Sequence, residues 1–116
     1  MALQQPGNSN SIVIQQDGSF SPKTLCSQEG NQISIQNGLS TSVTLLFPGP
    51  SIPSIVGQGN CQWIEELYRK YLKCNVNTYN TLTIQLQDPN GSTVPKFGIV
   101  NISPQAGGYA EILTQC

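Results

Sequence analysis

The sequence predicts an all-β fold, a sandwich of seven or eight short strands, on the strength of two observations. Runs of about five residues rich in Val, Ile, Thr and aromatic side chains are separated by turn residues, with Asp17-Gly18 and Asn37-Gly38 as the clearest turns. Residues 33–36 and 82–87 alternate apolar and polar side chains, as strands with one buried face do. A chain of 116 residues suffices for one compact domain.

The strands are expected in a regular order along the chain. Residues 1–10 are polar and contain Gly and Pro, so they are expected to form a flexible arm, and the single domain is expected to span residues 11–116. Within that domain the expected strands are residues 11–15, 23–27, 32–36, 42–47, 81–87, 96–102 and 109–115.

One helix is expected, over residues 62–73. Apolar side chains recur there at positions i, i+3, i+4, i+7 and i+8: Ile64, Leu67, Tyr68, Tyr71 and Leu72. Acidic residues come first and basic residues last, which suits the helix dipole and places oppositely charged residues four apart. The charged face is explained by solvation alone, and the alternative is a surface that docks a partner.

The four cysteines, Cys26, Cys61, Cys74 and Cys116, have no zinc-binding spacing and are best read as two disulfides of an exported protein. The alternative is four buried free thiols in a cytosolic protein. An unbroken helix would hold Cys61 and Cys74 about 20 Å apart, too far for a bridge. Each would then pair with Cys26 or Cys116, in an arrangement that the residues leave open.

The composition excludes several classes of function. The chain has no histidine, which excludes imidazole-based triads and His-ligated metals. Five basic residues against six acidic ones give no surface for nucleic acid, and no apolar run is long enough to insert into a membrane. The acidic residues have no reason to converge, so neither an enzyme nor a cofactor is expected. No signal peptide is visible, so export requires that this be the mature form.

Two segments carry a family resemblance. Residues 20–37 begin Phe20-Ser21-Pro22 and match the pattern F-x-P-x-x-[IL], a Gly-containing turn at Gly30, and an alternating strand that ends in Asn37. Residues 97–108 are similar to a penultimate strand and the ligand loop after it. Together they resemble the plastocyanin-type cupredoxins, which implies a Greek-key β-sandwich.

The resemblance also indicates where copper ligands would lie. The two His positions fall at Ser42 or Val43 and at Gln105, the Cys position at Ile102, and the Met position at Tyr109 or Ala110. None of these residues replaces the thiolate and imidazole ligands that hold copper in such sites. The resemblance therefore implies a metal-free scaffold.

The first functional hypothesis is a metal-free, non-catalytic cupredoxin-like module, exported to the cell surface or an extracellular structure, that acts by protein binding or assembly. A sharper variant is a self-assembling subunit, in which the amide- and hydroxyl-rich strand faces and the 1–10 arm pair with neighbours by strand addition. The alternative for the arm is an ordinary disordered terminus.

The second functional hypothesis is small-ligand or glycan binding at the end of the sandwich where copper would lie. The polar groups would come from Ser42, Asn101, Gln105 and Tyr109, and a stacking face from Trp63 or Tyr79. The alternative for Trp63 is that it anchors the predicted helix to the sandwich.

Overall fold

The computed structural model describes residues 10–49, 51–57, 59–87, 96–103 and 108–114. All regular elements in these ranges are strands. They are β1 (Ser11–Ile14), β2 (Phe20–Ser21), β3 (Thr24–Cys26), β4 (Gln32–Asn37), β5 (Val43–Phe47), β6 (Ser54–Ile55), β7 (Asn60–Glu66), β8 (Arg69–Val76), β9 (Thr81–Gln85), β10 (Lys96–Ser103) and β11 (Gly108–Leu113). The predicted all-β class is confirmed, and none of the described segments forms a helix of the length and apolarity needed to cross a bilayer.

The strands form two mixed sheets in a sandwich-like arrangement. One has five strands in the order β2-β1-β4-β9-β6, and the other has six in the order β3-β11-β10-β5-β8-β7. Each sheet contains one parallel pair, β1 with β4 and β3 with β11, and the other neighbours are antiparallel. The chain passes from the first sheet to the second between Ser21 and Thr24, inside the segment that carries the family resemblance.

The alternating residues of both sheets bury one hydrophobic core. In β4, Ile33 and Ile35 are fully buried, while the residues between them are not. The other large side chains with almost no exposure come from strands of both sheets and, for Leu86, from the residue just after β9: Ile12, Ile14, Phe20, Leu25, Leu45, Phe47, Ile84, Leu86, Phe97 and Ile99. Burial of side chains of this size stabilises a fold by about 2 kcal/mol each. One shared core therefore holds the two sheets together.

The predicted helix over residues 62–73 is wrong. The segment is an antiparallel hairpin, in which Trp63 lies opposite Leu72 and Glu66 lies opposite Arg69. Its turn is Leu67-Tyr68, where both backbones have positive φ, 46° and 68°, the pattern of a type I′ turn. The helical spacing was coincidental, because two of its five apolar residues lie in this turn.

The predicted pairing of the cysteines is also wrong, because it depended on an unbroken helix between Cys61 and Cys74. Cys61 and Cys74 are direct cross-strand neighbours with Cα atoms 4.0 Å apart, and they form a disulfide. Cys26 is also disulfide-bonded. Cys116 lies outside the described residues, as do residues 1–9 of the predicted arm.

Candidate binding surface

The β7–β8 hairpin, defined as residues 60–76, presents its two most exposed large apolar side chains at its turn. Leu67 is 90% exposed and Tyr68 is 109% exposed relative to a free residue. Both backbones have positive φ, a conformation that costs a residue with a side chain about 1 kcal/mol. Asn or Gly would occupy these positions with less strain, so neither burial nor backbone preference explains Leu67 and Tyr68.

One face of the hairpin carries an aromatic ring and a cation. Trp63 is 45% exposed, and the Lys70 ammonium lies 4.6 Å from the centre of its ring. Lys70 is the cross-strand neighbour of Glu65. The cation holds the exposed ring in place, by about 0.5–1 kcal/mol at such a site.

The opposite face of the hairpin is polar around a second aromatic ring. The pKa of Tyr71 is raised because its hydroxyl hydrogen-bonds to Glu66, with smaller contributions from burial and from the charge of that carboxylate. Glu66 in turn lies opposite Arg69. This face therefore presents tyrosine, carboxylate and guanidinium groups in a row.

Two concave surfaces lie between the hairpin and other described segments of the chain. A cleft of about 470 Å³ separates its turn from Pro48 and Gly49 at the end of β5, with Tyr68 on its wall. A more apolar groove of about 370 Å³ runs below Trp63. Its lining consists of Pro53, Ser54, Ile55, Gly57, Gly59, Cys61, Trp63 and Leu72.

The end of the sandwich to which the resemblance assigns the copper ligands is closed by buried amides. Asn101 is fully buried, donates from Nδ2 to the Gly18 carbonyl at 3.0 Å, and accepts from the Ser103 N–H at 3.3 Å. The same Gly18 carbonyl packs so tightly against Gly108 that a Cβ there would collide with it. The amide of Asn101 thus makes its hydrogen bonds within the protein and helps to close this end of the sandwich.

A second buried amide links the two sheets at the same end. Asn37, the last residue of β4, is fully buried and donates from Nδ2 to the carbonyls of Thr41, Val76 and Asn77 at 2.9, 3.1 and 3.2 Å. Its Oδ1 accepts from the Leu39 N–H at 2.9 Å. Asn37 thereby joins β4 of one sheet to the end of β8 in the other.

Tyr109 has its hydroxyl occupied within its own sheet. It donates to Glu111 at 3.0 Å, and Lys96 lies 3.5 Å from the same carboxylate oxygen. Burial, followed by this hydrogen bond and the carboxylate charge, raises the pKa of Tyr109. Its ring lies over Gly98, where a Cβ would come within 3.2 Å of the hydroxyl.

The residues predicted to form a ligand site only partly come together. Ser42, Asn101 and Tyr109 lie at the same end of the six-stranded sheet, because β5 and β11 begin where β10 ends. Trp63 is on edge strand β7, four strands from β11 and hence roughly 19 Å away across the sheet. Tyr79 is exposed in the turn that joins β8 to β9. Gln105 lies outside the described residues.

The other positions that the resemblance assigns to copper ligands hold side chains with no metal-binding atom. Val43 and Ala110 are buried in the core, and Ile102 is 37% exposed at the end of β10. These side chains offer only carbon and hydrogen atoms to this end of the sandwich.

The sequence did not predict that Leu67, Tyr68 and Lys70 lie close together on the surface of the hairpin. A signal was present in β8, where Leu72, Cys74 and Val76 alternate with polar residues and are buried as a strand would bury them. The cysteines at both ends of the segment are a second signal, since cross-strand disulfides join directly opposed residues.

In comparisons with known proteins, no family model matches this chain, and no curated protein is significantly similar to it in sequence.

Proposed function

We propose that this protein is a metal-free, non-catalytic cupredoxin-like module that is exported and binds another protein through the β7–β8 hairpin. The observation that carries the proposal is the turn, where Leu67 and Tyr68 are exposed in a backbone conformation that disfavours them. Strained residues that persist without a folding benefit cluster at functional sites. Exposed tyrosine and nearby tryptophan are also residue types enriched in protein interfaces.

The disulfide supports the same role for the hairpin. Residues 60–76 extend along the edge of the six-stranded sheet, and Cys61–Cys74 ties the two strands together near their base. A pre-ordered contact surface loses less conformational entropy when a partner binds. A disulfide also fits the oxidising conditions met outside the cell, which supports export.

The cupredoxin assignment draws support from the fold. The F-x-P-x-x-[IL] segment crosses between two mixed sheets, and Phe20 and Leu25 within it are buried. Small-ligand or glycan binding at the far end has less support, because Asn101 and Tyr109 already use their polar groups internally.

A photoreactive phenylalanine analogue at position 68 tests the hairpin contact. Tyr79 provides a matched control, since it is also an exposed tyrosine with positive φ, 62% exposed and at 59°. The protein that carries the analogue is mixed with the producing cells and with their medium. The analogue at position 68 should then cross-link a discrete protein, and the analogue at position 79 should not.

Competition completes the experiment. Unlabelled wild-type protein should suppress the cross-link, whereas the double variant Leu67→Asn/Tyr68→Gly should not. Equal cross-linking from positions 68 and 79, or none from position 68, would contradict the proposed contact.

A further inference from the structure

We infer that the β7 edge binds a second copy of this chain, pairing antiparallel with the β7 strand of that copy about a two-fold axis at Trp63. The inference rests on the proposed function to the extent that both use the β7–β8 hairpin. It assigns a different surface, however, since it uses the backbone of the edge strand and not the side chains of the turn.

The first argument is the contrast between β7 and the other sheet edges. The remaining edge strands of the two described sheets are short: β2 and β6 have two residues each, and β3 has three. Strand β7 has seven residues, with neither proline nor lysine among them. Short strands, proline and charged side chains, lysine above all, are the usual protections of an edge. Strand β7 is long and carries only Glu65 and Glu66 among these protections, so of the described edges it is the most open to strand addition.

The second argument is the direction of its backbone groups. The 4.0 Å Cα separation of Cys61 and Cys74 marks a pair of the non-hydrogen-bonded class. Because the classes alternate, Trp63 and Glu65 belong to the same class, and the N–H and C=O groups of all three β7 residues point away from β8. Within the described part of the chain, no other strand pairs with this side of β7.

The third argument is that one register satisfies all of these groups. With Trp63 opposite Trp63 of the second copy, Cys61 of each copy comes opposite Glu65 of the other. Each pair exchanges two hydrogen bonds, so the interface forms about six and leaves none of these groups unpaired. A symmetric contact of this kind is closed, as dimers with two-fold symmetry are.

Side chains agree with the antiparallel register. It places Glu66 opposite Asn60 of the second copy, an acceptor facing an amide donor, and it pairs the two Trp63 rings on one face. A parallel arrangement in the same alignment would instead oppose Glu65 with Glu65 and Glu66 with Glu66, and like charges directly opposite are destabilising. The charge pattern therefore selects the antiparallel dimer.

Sedimentation equilibrium of the purified full chain, at concentrations up to about 1 mM, is the first test, since interfaces of small area assemble in this range. Wild-type protein should dimerise. Glu65→Pro removes one outward N–H that β8 does not use and should weaken the dimer about tenfold or more. The matched control Glu65→Thr removes the same carboxylate but keeps the N–H, and it should dimerise as the wild type does.

Amide hydrogen exchange followed by NMR tests the register. Protection of the amides of Cys61, Trp63 and Glu65 should rise with protein concentration, whereas that of Gln62 and Ile64, already bonded to β8, should not. Strictly monomeric wild-type protein, equal dimerisation of the two Glu65 variants, or protection at other residues would overturn the inference. The Leu67→Asn/Tyr68→Gly variant should keep the dimer, so a failure of the turn contact is distinguishable from a failure of edge pairing.

Discussion

Asn37 shows how a single buried amide can link the two sheets of the sandwich. It satisfies three carbonyl oxygens and one N–H at the end of the sandwich, in surroundings where an unpaired polar group costs about 1–3 kcal/mol. The shape of the side chain matters less here than its ability to donate and accept at the same time.

Replacement of Asn37 by Asp is expected to lower the free energy of unfolding by about 3 kcal/mol at neutral pH, because a carboxylate would face three carbonyl oxygens with nothing to donate. Urea unfolding measures the change. Asn80→Asp, at an exposed residue of the turn between β8 and β9, is the control and should have little effect. Equal losses in the two variants would show that the buried hydrogen bonds do not matter.

Glu111 adds to the effect of burial in raising the pKa of Tyr109. Replacement of Glu111 by Gln removes the carboxylate charge, so the pKa of Tyr109 should fall toward its ordinary value and stay above it because burial persists. The raised pKa favours the neutral phenol in the folded state, so its contribution to stability is present below pH 10 and is lost as the pH rises through the folded pKa. The variant should therefore depend less on pH above 10.

NMR titration of the tyrosine ring carbons measures this shift. The pKa of Tyr71, which is raised by Glu66, is the internal control and should not change in the Glu111→Gln variant. A shift of both tyrosines would contradict a local cause.

At the scale of elements, the β7–β8 hairpin depends on a covalent link and tolerates an unfavourable turn. The disulfide spans 13 residues, and a cross-link of a loop of this size stabilises a fold by about 3 kcal/mol, mainly by restricting the unfolded chain. Leu67 and Tyr68 lower the stability of the hairpin, because both backbones have positive φ.

Removal of the disulfide in the double variant Cys61→Ala/Cys74→Ala is expected to lower the free energy of unfolding by about 3 kcal/mol. The amides of β7 should also exchange faster with solvent, since β8 is the one described strand that pairs with β7. Urea unfolding and hydrogen exchange measure the two effects, with the amides of β4 as the internal control. Unchanged exchange in β7 would mean that strand pairing alone holds the hairpin.

Relief of the turn should have the opposite sign. The double variant Leu67→Asn/Tyr68→Gly supplies residues suited to positive φ and is expected to raise the free energy of unfolding by about 1 kcal/mol. Tyr68→Ser, which removes the ring but keeps a side chain at that φ, is the control and should not gain stability. A loss of stability in the double variant would show that the turn side chains serve the fold itself.

The strands with clear alternation could be predicted from sequence. The hairpin was missed because a helical spacing of apolar residues outweighed its two signals, the alternation in β8 and the paired cysteines. In β4, period-two burial of Ile33 and Ile35 and a turn on each side leave one interpretation. In β7 neither face is buried regularly, because an edge strand packs against a neighbour on one side only. The turn carries Leu67-Tyr68 in place of the Asn-Gly that marks a type I′ turn, so the usual signal is absent.

The candidate surface was hidden for the same reason. Trp63 and Lys70 are seven residues apart in sequence, and only the hairpin brings the ammonium over the ring. Asn101, by contrast, was predicted as a polar residue of a ligand site, and it lies at the same end of the six-stranded sheet as Ser42 and Tyr109. Its sequence context cannot show that the Gly18 carbonyl, 83 residues away, already occupies its amide.

At the scale of the whole molecule, the proposed metal-free state is open to a direct test. Copper added to the native protein is expected to produce no intense visible band from charge transfer between thiolate and copper, because Cys26, Cys61 and Cys74 are disulfide-bonded and Val43, Ile102 and Ala110 cannot bind metal. Absorption spectroscopy, with copper in buffer as the blank, measures this. Stoichiometric copper that survives a chelator would contradict the metal-free proposal.

The buried amide of Asn101 has a consequence for the maturation of the protein. Asn101-Ile102-Ser103 has the form of an acceptor for N-linked glycosylation, and the sugar would be attached to the same Nδ2 atom that donates to Gly18. A glycan there would replace one of the two Nδ2 hydrogens and would need space that the fully buried side chain of Asn101 does not have. In a host that glycosylates exported proteins, a glycan on Asn101 is therefore expected to oppose the folding of this end of the sandwich.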